Sequence, residues 1–340
     1  MSMKALFIGG TGTISMAITK RLLVMGWELF LLNRGSRSEE LSSEVNLLNV
    51  DVNDEDSVSE KIRGLKFDVV CDFIGFVPEQ LERDFRLFQG KTKQFMYISS
   101  ASAYQKPLGD YRISEGTPLS NPYWEYSRNK IACEDFLMKM YREKGFPVTI
   151  IRPSHTYDER SIPLGVHGKN GSWQVAMRML AGKPVIIHGD GTSLWTMMHN
   201  SDFAKAFVGL MSNVHAIGES FQITSDETLT WNQIYLSIAD ALGVELKPYY
   251  VSSDFLAAVS SFDYRGSLIG DKSNSVVFDN TKLKRAVPDF TANVRFDQGV
   301  RNTIQYIMSH KECQIEDPEF DAWCDKVISA LENAKKNVLK

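Results

Sequence analysis

Tyr126-Ser127-Arg128-Asn129-Lys130 sets a phenol and an ammonium four residues apart, which places both on one face of a helix. A free tyrosine titrates near pH ~10 and is a poor base at neutral pH, but a neighbouring cation favours its phenolate. The pair can then act as a general acid-base unit. Alone, such a pair is commonplace on helix surfaces. Upstream, however, the apolar run Phe95-Met96-Tyr97-Ile98 ends in Ser99-Ser100-Ala101-Ser102-Ala103-Tyr104. Hydroxyls at that point can bind an oxygen that gains or loses a proton, and Ser100 is the candidate for stabilising a carbonyl or alkoxide as charge shifts. Serines after a strand also serve ordinary turn chemistry.

A second constellation supplies a reason for the carbon bearing such an oxygen to change oxidation state. Gly9-Gly10-Thr11-Gly12-Thr13-Ile14-Ser15 follows an apolar strand and opens an amphipathic segment, the setting in which glycines allow a tight turn and close approach to a pyrophosphate. The helix N-terminal N–H groups then meet phosphate charge. Ser15 stands where a third glycine is usual and is small enough to keep helix and strand in contact. The next strand ends at Leu32-Asn33-Arg34-Gly35 without the acid that would accept the ribose hydroxyls of NAD. Arg34, helped by Arg37, can instead meet the extra phosphate of NADP, which favours NADP over NAD. The same arginines could equally be solvated loop residues. Asp51, after the third strand, is a candidate contact for the adenine amino group and equally a turn residue. With a nicotinamide bound, Lys130 can hold its ribose, and the positive ring further favours the Tyr126 phenolate.

The elements that must position these residues are legible as short apolar runs at 5–8, 28–32, 45–50, 68–74, 94–98 and 148–151, separated by segments of helical period. That alternation is the βαβ pattern of an α/β, doubly wound parallel Rossmann sheet, whose strand ends share one ligand-binding edge. The first helix is expected over 13–25, stopped by Gly26. After Arg152 the regularity fails, with Pro153, Pro163, Gly165, Gly168 and Gly171 marking loops and short helices. Strands are expected again at 185–187 and 220–223, and helices at 201–211, 231–242 and 297–308. We therefore expect a dinucleotide-binding domain over 1–155, with about 196–225 returning to it. A smaller, discontinuous C-terminal substrate lobe takes 156–195 and 226–310, and 311–340 forms an accessory helical tail.

Together, GGTGTIS, the SSASAY strand end, YSRNK, Arg152-Pro153, and Gly189-Asp190-Gly191 followed by His199 and Asp202 resemble the extended short-chain dehydrogenase/reductases, the NAD-dependent epimerase/dehydratase family. The resemblance covers roughly residues 4–310. It implies Tyr126 as acid/base, Lys130 orienting the ribose and lowering the tyrosine pKa, and Ser100 polarising the reacting oxygen. Expected cofactor contacts are Gly9, Thr11, Gly12, Thr13, Ile14, Arg34, Arg37, Asp51, Val52, Gly75, Ser99, Tyr126, Lys130 and Pro153. Expected substrate contacts are Ser102, His155 and His199, the second through a phosphate or carboxylate, although a histidine at a strand end is as readily structural.

Dehydratases of the family resemble one another in an Asp-Glu pair after the catalytic Ser/Thr, where Ala101 and Ser102 stand here, so dehydration is disfavoured. That leaves 4-epimerisation of a nucleotide sugar or NADP-dependent reduction of another carbonyl. Similar proteins are often homodimers joined through two helices, one of them the Tyr126 helix. Several positions depart from the family: Phe73-Ile74-Gly75-Phe76 near the nicotinamide ribose, His155 for Asn, Asp158 for Gly, and Trp195-Thr196-Met197-Met198 before His199. Some relatives on this architecture sense a dinucleotide or bind RNA without catalysis.

Composition narrows the classes. Of 340 residues, 43% are apolar and 24% charged, an ordinary globular mixture that excludes disorder of the whole chain. A net charge of -4 gives no overall attraction to nucleic acid or anionic membranes, and no apolar run is long enough to span a bilayer. The N-terminus lacks a signal-peptide layout, so a cytoplasmic protein acting on a small molecule is expected. Cys71, Cys133, Cys313 and Cys324 are scattered without metal-ligand spacing, so no metal is expected, and Cys133 falls on a buried helical stripe.

Overall fold

Five consecutive strands and the helices between them are set by the period change in the first half of the chain. The structure, a computed structural model, describes residues 2–34 and 43–340. Seven strands form one parallel sheet in the order Ser220–Ile223, Val148–Pro153, Phe95–Ile98, Val69–Asp72, Lys4–Ile8, Glu28–Asn33 and Asn46–Asn49. Central strands read as continuous apolar runs because both faces are covered; Ala5, Leu6, Phe7 and Ile8 are all fully buried. On one face, helices Thr13–Val24 and Asn200–Leu210 pack against each other over Ile18, Leu22, Phe203 and Phe207. On the other lie Pro78–Phe88 and Glu125–Lys144, contributing Leu81, Phe88, Cys133 and Leu137.

Chain order reverses at Lys4–Ile8, which pairs with Glu28–Asn33 on one side and Val69–Asp72 on the other. Ile8 lies level with both Leu32 and Asp72, so Gly9, Asn33 and Phe73 stand level at one edge of the sheet. Such a reversal opens the crevice in which α/β sheets bind ligands.

Beyond Arg152 a second apolar core forms around Trp173, Trp195, Trp231, Tyr235, Tyr264 and Phe296. The helices Trp231–Leu242 and Phe296–Ser309 pack together there, while Ser220–Ile223 completes the sheet's far edge. The C-terminal helix Pro318–Val338 is no appendage to this core. Phe320, Cys324 and Val327 are buried in it, and Arg178 bonds Asp321 and Asp325 of that helix at 2.7 and 2.8 Å. Elements without sequence signal include a parallel strand, Pro248–Val251, beside Val185–His188, and a π-helical segment, Arg265–Lys272. No helix of the described residues is long and apolar enough to cross a membrane.

Candidate active site

The glycine turn is built for close approach. Gly9 and Gly10 have φ of 96° and 102°, and a Cβ on Gly10 would stand 2.7 Å from Leu31 Cδ2. Ser15, buried beneath, accepts a hydrogen bond from the Gly12 N–H at 2.9 Å, so it caps the turn as well as filling the third glycine position. Gly9 lines a cavity of about 250 Å³ with Arg34, Asp51, Val52, Asn53 and Arg83. Thr13 and Ile14, past the turn, line a larger cavity of about 490 Å³. Thr11 and Gly12 lie between them in the chain and line neither. Asp51 Oδ1 is engaged by the backbone and side-chain amides of Asn53 at 2.9 and 3.0 Å, so one of its oxygens is committed to a local turn. Arg34 is exposed at the cavity's edge, and Arg37 lies outside the described residues.

The larger cavity brings together Ser100, Tyr126, Lys130 and Pro153 from two strand ends and one helix. Tyr126 is in the first turn of Glu125–Lys144, pointed at the strand end that carries Ser100 by the docking of that helix on the sheet. A line of hydroxyls orients the serine: Ser127 Oγ donates to Ser102 Oγ at 2.7 Å, and Ser102 Oγ lies 2.9 Å from Ser100 Oγ. Burial pushes the Tyr126 phenol up; the hydrogen bond with Ser100 pulls it down and the Asp271 carboxylate raises it again.

Lys130, 1% exposed, donates to the Gly75 and Ile98 carbonyls at 2.6 and 2.7 Å. An ammonium has three donors, so one remains for a ligand oxygen. Burial lowers Lys130 to about 8, opposed by Asp72, Cys133 and Glu134. Its Nζ sits 5.7 Å from the Tyr126 ring centroid and 4.8 Å from that of Phe76. Burial is the largest influence on the phenol here, and the hydrogen bond with Ser100 is the one that lowers it.

Other expected contacts divide. Ser99 lines the cavity, but its hydroxyl is held by Glu134, which is itself paired with buried Arg152 at 2.6 Å. Ser102 also lines the cavity, with its hydroxyl occupied in orienting Ser100. His155 lines it too, yet burial lowers the imidazole to about 3, helped by Lys272 and His167, so it is neutral rather than a cation for a phosphate or carboxylate. His199 is not among the cavity's lining residues. It caps the helix Asn200–Leu210, its Nδ1 accepting from the Ser201 N–H at 3.2 Å. Sequence reasoning missed Ser127, which carried no signal beyond its place in YSRNK. It also missed Lys106, Asp271 and Lys272, which reach the cavity from segments with no motif.

A family model described as NAD dependent epimerase/dehydratase family matches residues 5–224. The chain belongs to that family. Among relatives of this epimerase/dehydratase family member, 2'-dehydrokanamycin reductase of Streptomyces kanamyceticus is 22% identical over 299 residues, covering 85% of this chain and 80% of the relative. Chloroplast stem-loop binding protein of 41 kDa b of Arabidopsis thaliana is 27% identical over 255 residues, 71% of this chain and 63% of its own length. This chain thus matches somewhat less than two thirds of that second relative. Two solved structures share the fold. One is dTDP-glucose 4,6-dehydratase of Bacillus anthracis in complex with NAD (TM-score 0.72, 18% identity, 92% of this chain and 98% of that one). The other is Thermus thermophilus UDP-glucose 4-epimerase in complex with NAD (TM-score 0.71, 20% identity, 91% and 100%).

The groove of this family member fits a nicotinamide dinucleotide. The positive-φ glycine turn stands between the two cavities, and Gly75 is a cradle in which a Cβ would lie 2.2 Å from Asp72 Oδ2. Backbone at Gly9 and Thr13 would meet the pyrophosphate, Lys130 the nicotinamide ribose, and the Arg34–Asp51 cavity the adenosine.

Proposed function

We propose that this protein is an NAD(P)-dependent oxidoreductase/epimerase that acts at a hydroxyl/carbonyl carbon of a nucleotide sugar, in the manner of a 4-epimerase. The observation that carries the reading is the Ser127–Ser102–Ser100 hydroxyl line ending beside Tyr126 above the anchored Lys130. A bound nicotinamide supplies the hydride acceptor and donor. Tyr126 takes the proton of the substrate hydroxyl as that carbon is oxidised and returns one when it is reduced. Ser100, held by Ser102, donates to the same oxygen while it has carbonyl character. Lys130 keeps positive charge below the phenol and holds the ribose with its remaining donor. Ala101 and Ser102, where an acid-base pair would stand, supply no second carboxyl for eliminating water. The dispersed 38 Lys and Arg among 42 acids argue for a catalytic rather than an RNA-binding role.

Asn33 and Arg34 stand at the end of Glu28–Asn33 in place of the acid that would take the ribose of NAD, and this favours NADP over NAD. A second reading, reduction of the carbonyl of another small molecule, is favoured by the likeness to 2'-dehydrokanamycin reductase across 85% of this chain. Ultraviolet absorbance of the purified protein separates the two. Retained dinucleotide supports an epimerase that returns its hydride, and exchangeable dinucleotide supports a reductase. In either case Tyr126→Phe should lower turnover roughly 10²–10⁴-fold while cofactor affinity stays within a few fold. Near-normal turnover would remove Tyr126 from the acid/base role.

A further inference from the structure

The cavity around Tyr126 has a second wall that hydride transfer does not use. It is formed by the π-helical segment Arg265–Lys272, a backbone form that is rare and concentrates at functional sites. Two glycines let this segment sit against the start of the Tyr126 helix. A Cβ on Gly266 would lie 2.1 Å from Trp124 Cδ1, and one on Gly270 3.2 Å from Asn121 Oδ1. Asn121 Nδ2 ties the wall to the catalytic loop, donating to the Gly270 and Ser102 carbonyls at 2.7 and 2.8 Å. The Lys272 carbonyl accepts from Trp231 Nε1 at 3.0 Å and lies 3.2 Å from His188 Nε2. Asp271 and Lys272 are therefore held in the same cavity as Ser100 and Tyr126.

Lys106 enters that cavity from the opposite side, on the chain that continues from the catalytic serines. It is 3% exposed, and its Nζ makes no hydrogen bond or ion pair with another described residue. Asp271 is already paired with Lys272, at 3.7 Å. The wall thus holds two ammonium groups that share one carboxylate, Asp271, and the pair carries one positive charge more than it can balance. Leaving an ammonium in that state is costly unless a ligand provides the anion. Nearby on the strand edge, Ser154 Oγ, His155 Nδ1 and Thr156 Oγ1 are buried without partners, a set of neutral polar groups that could complete the coordination of an anionic oxygen.

We propose that Lys106 and Lys272 form an anion subsite that receives a carboxylate or phosphate carried by the reacting sugar itself. The two lysines share the cavity with Ser100 and Tyr126, and the cofactor's phosphates already have the helix N-terminus at Gly9–Thr13, which leaves the anion of the sugar as the occupant. Asp271 aligns Lys272 and offsets part of the positive charge. The assignment rests on Tyr126 marking the reacting end of the substrate.

Dissociation constants for the protein loaded with whichever of NADP and NAD it binds more tightly test it with two matched pairs, UDP-glucuronic acid against UDP-glucose and glucose 6-phosphate against glucose. They are measured by calorimetry in the Tyr126→Phe background, so that no turnover is needed. The anionic member of at least one pair should bind roughly tenfold tighter, the carboxylate pair and the phosphate pair telling the two sources apart. Lys106→Met should abolish that preference and Lys106→Arg should keep part of it. Equal or undetectable binding across both pairs overturns the proposal. So does an equal loss for both nucleotide sugars in Lys106→Met, which would put the cation on the diphosphate. Thermal unfolding guards against a trivial loss. Replacing a buried cation that has only a shared carboxylate with an apolar isostere should leave Tm level or raised, and a fall in Tm with the preference intact would overturn the proposal and make Lys106 a structural partner of Asp271. Failure of the acid/base reading would show separately, as normal turnover in Tyr126→Phe.

Discussion

Around Tyr126 the groove is walled by buried charge: Lys130, Lys106 and Asp271 all sit where burial opposes their ionised forms. Around Arg34 it is walled by exposed or locally satisfied groups, with Asp51 turned onto Asn53 and buried Arg83 spent on Asp84 and Asn53. Proton transfer gains from a dry site in which each charge acts at short range and at low effective dielectric. Recognition of a ribose or phosphate needs only donors at the right distance, which solvent-facing side chains can provide. The two ends should therefore respond differently to substitution, one in kcat and the other in cofactor KM.

The largest effect that sharpens this contrast is expected from Ser100→Ala, which removes the hydroxyl beside the phenol. Turnover should fall roughly 10²-fold or more, read from steady-state kinetics, with cofactor KM little moved. A loss confined to KM would erase the distinction between the ends. Next is the pH response of Lys130. Its folded value of about 8 lies below the ordinary lysine value of 10.5, so its charge disappears as pH rises through about 8. Activity should fall there by up to about tenfold per pH unit. Stability should move the other way, because the unfolded state holds the proton more tightly and the fold gains as pH climbs from about 8 toward 10.5. Parallel pH scans of activity and of chemical unfolding check both signs. The smallest effect is at the exposed end. Arg34→Asp should raise the KM for NADP by about tenfold and lower that for NAD, measured with each cofactor in turn. An unchanged NADP to NAD ratio would show that Arg34 is only a solvated loop residue.

The same contrast explains what could be read in advance. The sheet was legible because its central strands are apolar on both faces and regularly spaced, and because Gly9, Gly10 and Gly12 follow directly on the first of them. Tyr126 and Lys130 were legible because one helix turn carries both. The place of His199 could not be read, since its capping of Asn200–Leu210 depends on where the helix begins, and a histidine near the motif reads the same whether or not it faces the cavity. His155 was placed in the cavity but given a charge that burial removes. Burial is a property of neighbours far away in the chain, and Lys272, which helps keep the ring neutral, is one of them.

The chain's order of residue types was enough to determine the parallel sheet, its glycine turn, and the pairing of Tyr126 with Lys130, since each depends on contacts within a few residues or on a repeating period. The tertiary structure alone decided that Ser127 steers Ser100 through Ser102, that the C-terminal helix belongs to the second core, and that Lys106 meets Asp271 and Lys272 across one cavity. Those outcomes depend on which distant side chains share a space from which water is excluded, and no local pattern encodes that.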